Sequence, residues 1–459
     1  MDIRKNKFTY FAGISANLLT YGSGLGYGWA SPALSKLSGH VDPENNPLSS
    51  PTTVTQESWI ASLLSLGAMC SPFLTAFLSE KIGRKKTLLV FVLPTIISHL
   101  ILIFAKRVVD FYVARFLIGL STGCAITIVP LYSAEISQKH NRGAIGALVI
   151  VMLASGHFTA SVVAPYVTIR TFSALALIPS GLFLIVFGIF VPESPYFYIL
   201  MDDKRGAKLS LEKLRGTENV GEELGEIVKS VEELKSSERD NLRELFTSSY
   251  CLRCLFWSVA LIFFQQLTGL IYIVNYTQKI FESAHTPISE EIAVMLVTLV
   301  QITSILVSTQ ILDRVPRRKL ALLSLTSILV ITTTMGTYFY MQKHHFNLLH
   351  FTWLPVLCLM VFILSFNMGI CPISYIFPGE IFQPNVKSLG VNLVMCVGLF
   401  WEFAVASFLP ALSNRFGFDV PFWVFTGATC FGIAFVGFSM PETGGKSFLE
   451  INESLRYKE

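Results

Sequence analysis

Apolar runs close to the length that crosses about 30 Å of hydrocarbon recur along the whole chain. They lie at residues 8–30, 57–78, 87–105, 112–133, 144–166 and 172–191, and again at 253–276, 292–312, 320–341, 352–377, 388–410 and 421–440. A bilayer core offers no water to satisfy a backbone N–H or C=O, so each run is expected to form a helix. The fold class that follows is an all-α membrane protein: twelve transmembrane helices in two six-helix, pseudo-symmetric halves. Composition agrees, since 52% of residues are hydrophobic, mean hydropathy is +0.57 and only 14% are charged, against about 25% in a soluble domain. The first run follows Arg4, Lys5 and Lys7 as a secretory signal would. It is too long and lacks a small-residue cleavage site, so it is expected to remain in the mature protein.

Three charged signatures fall between these runs, and each returns in the second half in the same order. Glu80, Arg84 and Lys85 are answered by Asp313, Arg317 and Arg318; Glu135 with Arg142 by Glu380 with Lys387; and Pro192-Glu193 by Pro441-Glu442. Charges at equivalent loop positions in two homologous bundles are what a membrane transporter with two moving halves would carry. The expected division is an N-terminal half at 1–200, a linker at 201–250 and a C-terminal half at 251–459. Lys, Glu and Leu alternate in the linker, which reads as short amphipathic helices that either brace the bundle or simply connect its halves. Basic residues crowd one set of loops (Arg4, Lys81, Arg84 to Lys86, Arg142, Arg314 to Lys319, Lys387) and are thin on the other. By the positive-inside rule both termini are expected in the cytoplasm.

The acid and base pairs are read as gate residues that join across the cytoplasmic mouth when the cavity opens outward. Each exposed pair is worth only about 0.2–1 kcal/mol, but several lost together shift a two-state equilibrium tenfold or more. The alternative is that they anchor loops at the headgroups. Net charge is only +4, which gives no support to a nucleic-acid partner. Eight scattered Cys, including Cys251-Leu-Arg-Cys254, show no second metal-ligand pair, so no metal or cofactor is expected. Gly22, Gly24, Gly26 and Gly28 lie inside a membrane helix and are read as a close-packing face rather than a phosphate loop. The sequons at Asn275 and Asn452 are poor glycan acceptors, one at a span end and one in the cytoplasm.

Further motifs make the chain specific. They are Gly28-Trp-Ala-Ser-Pro32, Arg115-Phe-Leu-Ile-Gly119, Pro130-Leu-Tyr-Ser-Ala-Glu135, Arg142-Gly143, Gln265-Gln-Leu-Thr-Gly269 and Pro441-Glu-Thr443. With the doubled signatures they resemble the sugar porter family of the major facilitator superfamily over nearly the whole length, and within it the insect facilitated trehalose and hexose transporters. The resemblance implies a plasma-membrane carrier, monomeric and not an enzyme, whose partners are a small sugar and the lipid bilayer. It also implies that Gln265, Gln266, Gln301, Asn367, Tyr375 and Trp401 contact substrate, with amides suited to sugar hydroxyls and aromatic faces to the ring. Several polar positions of the family pattern are apolar here: Ile150, Ile271 and Ala404. The tenth-span hinge is reduced to Gly369-Ile-Cys-Pro372, and Pro316 stands where the first half has Gly83.

Proton-coupled members of the family that the chain resembles carry an Asp in the first span; residues 8–30 here hold no Asp or Glu, so the resemblance implies facilitated diffusion. Glu402, well inside the eleventh run, is the candidate proton site, because an ionisable group at that depth is costly and usually functional. Three readings therefore stand: a uniporter for trehalose or a hexose, a proton-linked or other small-solute carrier, and a sugar sensor that does not transport.

Overall fold

The computed structural model describes residues 7–39, 46–138, 140–237, 242–312, 314–383 and 386–444. Among them every regular element is a helix. Eleven helices are long and apolar enough to cross a membrane: Val54–Ile82, Arg84–Phe104, Val108–Ile136, Arg142–Val163, Ile169–Phe190, Ser249–Ala284, Glu290–Ile311, Arg317–Lys343, Leu349–Ile381, Leu389–Phe416 and Asp419–Phe438. With Lys7–Leu37 before them, they are the second to twelfth spans. Lys7–Leu37 has the length, at 31 residues, but is not among the eleven. Its Gly, Ser, Thr, Asn and Tyr residues dilute the apolar ones.

By packing, the chain forms two compact units. One comprises Met1–Gly26, Leu66–Ala160 and Val167–Arg239; the other comprises Tyr27–Ser65, Ser161–Tyr166 and Asp240–Glu459. The first, second and fifth spans thus contribute to both, a grouping different from a division by sequence at residues 200 and 251.

In the first unit the third span packs on the fourth and sixth. The core joins Ala12 and Ala16 to Leu88, Phe91, Cys124, Ile128, Tyr132, Phe183 and Phe187. Lipid is as apolar as leucine, so burying such residues in a bilayer gives little net drive, and close approach of backbones matters more. The first and fifth spans show that approach. A Cβ on Gly24 would lie 2.1 Å from the Leu153 carbonyl oxygen, and one on Gly156 would lie 2.1 Å from that of Tyr21. Within the small-residue run of the first span, Gly24 is therefore a packing position, whereas Gly22 has open space where a side chain would go.

Helix Pro195–Leu200, which precedes the linker, and the linker helices Lys204–Arg215 and Gly221–Ser237 belong to the same unit. Asp203 caps the second of these by accepting from the Gly206 N–H at 2.8 Å, and Gly216 ends it in the left-handed conformation. Ile199, Ala207, Leu211, Val220, Ile227 and Val231 close a small core of their own. Arg215 ties these helices to the bundle: it donates to Thr9 Oγ1 (3.1 Å), to the Ile136 carbonyl (3.0 Å) and to Glu223 (2.6 Å). Of the two expected roles, bracing is the one the contacts support.

In the second unit the ninth span packs on the twelfth, the eighth on the tenth and the seventh on the eleventh. Two spans are broken. The seventh divides into Ser249–Gln266 and Leu270–Ala284, because Gly269 is left-handed (φ 95°). The tenth divides at Gly369 into Leu354–Met368 and Ile370–Ile381, with Ser324 bridging the break: its hydroxyl accepts from the Ile370 N–H (3.1 Å) and donates to the Ser365 carbonyl (2.7 Å). Freed backbone groups at membrane depth are thus satisfied by a neighbouring helix. The seventh span runs on to Ala284, past the expected end at 276, since its last turns carry polar residues that pack inward.

Candidate functional site

The charged signatures assemble into one cluster in each unit. In the first, Gly83 precedes the third span with φ 99°, and the opening amides of that helix need an acceptor. Glu193 supplies it: the Lys85 N–H donates to both carboxylate oxygens at 3.0 Å, and the Ser194 N–H donates to Oε1 at 2.8 Å. A carboxylate at a helix N-terminus also meets the positive end of the macrodipole. Arg84 reaches the fourth span, where its Nε donates to Glu135 at 3.0 and 3.1 Å and its Nη2 lies 2.9 Å from Oε1. Both side chains are more than nine-tenths buried.

The second unit repeats the plan. The Arg317 and Arg318 amides donate to the two oxygens of Glu442 at 2.9 and 3.0 Å. Arg317 Nη2 lies 3.4 Å from Glu380 Oε1, and Thr443 Oγ1 donates to Glu380 Oε2 at 2.6 Å. Each cluster therefore pairs the arginine opening its third helix with the glutamate ending its fourth, and caps that opening with the glutamate after its sixth. In both cases the acid's partner is the arginine of the preceding signature, not Arg142 or Lys387 seven residues on. Those two are exposed where the fifth and eleventh spans begin, and Glu80 is exposed at the end of the second. Asp313 lies outside the described residues.

The residues expected to meet substrate all belong to the second unit. Gln265 and Gln266 close the first segment of the seventh span, 2% and 4% exposed, and Gln265 Oε1 is buried with no hydrogen-bond partner. Trp401 packs edge-on against Phe263 with ring centroids 4.6 Å apart, which brings the eleventh span beside that segment. The eighth and tenth spans are joined through a chain: Asn367 Nδ2 donates to Ser304 Oγ (2.9 Å), which donates to the Gln301 carbonyl (2.8 Å). Asn367 thus has one of its two amide hydrogens engaged, and Gln301 is half-buried. Tyr375, in the second segment of the tenth span, is 41% exposed.

Sequence reasoning missed a second set of ties in this unit. Glu402 Oε1 accepts from Ser65 Oγ at 2.8 Å and from Tyr27 OH at 3.3 Å. Lys279 Nζ lies 2.6 Å from Glu57 Oε2, and Thr52 Oγ1 donates to Glu57 Oε1 at 3.2 Å. Beyond a distortion at Tyr276 (φ −122°, ψ 15°), the Gln278 N–H turns to Ser31 Oγ at 3.0 Å. These contacts hold the ends of the first two spans on the seventh and eleventh. Only Glu402 carried a sequence signal; Glu57 and Lys279 are ordinary charges near span ends until the fold pairs them.

A multi-span helical protein with this doubled architecture has the fold of the major facilitator transporters. The chain belongs to the family described as "Sugar (and other) transporter", whose model matches residues 14–455. It is 29% identical over 424 residues to the facilitated trehalose transporter Tret1 of Bombyx mori, covering 91% of this chain and 83% of that one. It is also 29% identical over 459 residues to the Tret1-2 homolog of Drosophila simulans, covering 98% and 92%. The inward open structure of the xylose transporter XylE from E. coli superposes with a TM-score of 0.77 at 18% identity, over 98% of this chain and 99% of that one.

Proposed function

We propose that this chain is a sugar carrier of the plasma membrane, with both termini cytoplasmic, moving trehalose or a hexose by facilitated diffusion through alternating access. The observation that carries the reading is the buried Gln265-Gln266 pair beside Trp401, with one amide oxygen unpartnered. A lone acceptor of this kind is costly to leave unsatisfied, and a sugar hydroxyl is the donor that suits it. The names of the trehalose-transporting relatives supply the substrate class. The two charged clusters then serve as the cytoplasmic latch, and substrate contact extends along the seventh, eighth, tenth and eleventh spans.

Uptake of radiolabelled trehalose and glucose into oocytes or proteoliposomes tests this. Saturable flux is expected, abolished by Gln266→Ala at normal surface level and indifferent to an imposed proton gradient. Binding without flux identifies a sensor instead, and flux that follows inward protons identifies a symporter.

A further inference from the structure

Glu402 lies inside the helix Lys387–Phe416 and is 8% exposed. An ionisable group at that depth is retained for what it binds, and the structure shows what this one accepts. Both hydrogen bonds to Oε1 come from hydroxyls, those of Ser65 and Tyr27, and no Lys or Arg ion pair reaches it among the described residues. A carboxylate is an acceptor only, so its surroundings have been built from O–H donors rather than from a counter-charge.

Its place along the helix is informative. The seventh and eleventh spans touch at Gly398, where a Cβ would lie 2.5 Å from Ile262 Cδ1 and 3.9 Å from Gln266 Nε2. Glu402 is four residues on, hence on the same helix face. Four residues rise about 6 Å, comparable to the breadth of one sugar ring. Trp401 adjoins it in sequence and packs on Phe263, in the turn that ends at Gln266. An amide, an aromatic ring and a carboxylate are thus set out along one stretch of two touching helices.

We propose that Glu402 is a specificity-determining residue that accepts hydroxyl hydrogen bonds from the sugar, in exchange for those of Ser65 and Tyr27. The proposal rests on the sugar-carrier reading and sharpens it. The substrate must present a hydroxyl, or a vicinal pair, to this carboxylate. Hydrogen bonds to an ionised acceptor are roughly twice as strong as neutral ones. A site built to bond a hydroxyl rejects the analogue lacking it, because the buried partner is left unpaired.

The test is binding of glucose, trehalose and the series of monodeoxyglucoses to the purified full chain in detergent, followed by intrinsic tryptophan fluorescence. In the unmodified protein one monodeoxy sugar is expected to bind at least about tenfold more weakly than glucose. In Glu402→Ala, glucose itself falls to that level and the discrimination at that hydroxyl disappears, while discrimination at the other positions is kept. Glu402→Gln preserves volume and an acceptor oxygen, which guards against a folding defect, and is expected to lose part of the discrimination at the same position only. Uniform weakening with the discrimination pattern intact, in either variant, overturns the proposal and leaves the carrier reading standing. No saturable sugar binding by the unmodified protein overturns both.

Discussion

Gly83 is the residue on which the first charged cluster turns. Its φ of 99° lies where side chains are disfavoured, and an added Cβ would sit 2.2 Å from Glu193 Oε2, the carboxylate that caps the third span. Gly83→Ala therefore meets backbone strain and displaces the cap together. A destabilisation of about 1–3 kcal/mol is expected, read as a lower melting temperature of the detergent-solubilised protein. Pro316 holds the equivalent place in the second unit at φ −54°, where an alanine fits, so Pro316→Ala should melt nearly with the parent. Within that second cluster Glu380 takes both Arg317 and the Thr443 hydroxyl. Glu380→Gln keeps the hydroxyl bond and weakens the ion pair, a loss of about 1 kcal/mol for a pair with one partner a quarter exposed. Transport slowed several-fold at unchanged surface level is the expected result; full flux would remove Glu380 from the gate. The acid-base spacing was legible in the sequence, but the choice of partner was not. Arg142 is adjacent to Glu135 along the chain, whereas Arg84 is adjacent only after the third span has folded beside the fourth.

At the scale of elements, hydropathy located the spans because apolar length is a property of composition alone. It misjudged their ends, as at the seventh span, because Lys279 and Glu282 look like loop residues until their packing is known. The breaks at Gly269 and Gly369 carried a signal, a glycine inside an apolar run. The distortion at Tyr276 carried none, since neither proline nor glycine is there and the cause is a backbone amide diverted to Ser31. The linker helices give a measurable consequence outside the membrane. Burial would push the Glu223 carboxyl up, but the hydrogen bonds and charge of Arg215 outweigh it and hold Glu223 below its ordinary 4.5. A depressed folded value means that the pair's stabilisation is fully present above about pH 4.5 and is lost as pH falls through the lower, folded value. Hydrogen exchange of the amides in Gly221–Ser237 should therefore be flat in protection between pH 7 and 5, once corrected for intrinsic rates, and fall below pH 4.5 in the parent. Glu223→Gln should lose that acid-dependent step, and a step of equal size in both proteins would assign it to other groups.

For the molecule as a whole, the doubled plan was written in the chain, because duplication preserves spacing. The packing of residues 27–65 with the second-half helices was not, because it depends on Glu57 finding Lys279 and on Ser65 and Tyr27 finding Glu402. The Glu57 side chain is 4% exposed and that of Lys279 18%, so removing the cation leaves a buried carboxylate uncompensated. Such a loss costs about 3–5 kcal/mol, and at about 1.4 kcal/mol per decade it would shift the arrangement by two decades or more. Ser62, fully buried in the second span just over one turn beyond Glu57, reports it. With the native cysteines replaced, Ser62→Cys should react slowly with a membrane-impermeant maleimide and at least tenfold faster when Lys279→Ala is added. Adding Glu57→Gln as well removes the stranded charge and should bring the rate back toward the parent, because two neutral partners cost less than one buried ion. Equal rates in all three would mean that the pair does not hold these span ends together, and the tie would then rest on other contacts, among them those of Ser31, of Glu402 and of the Trp59 and Phe403 rings.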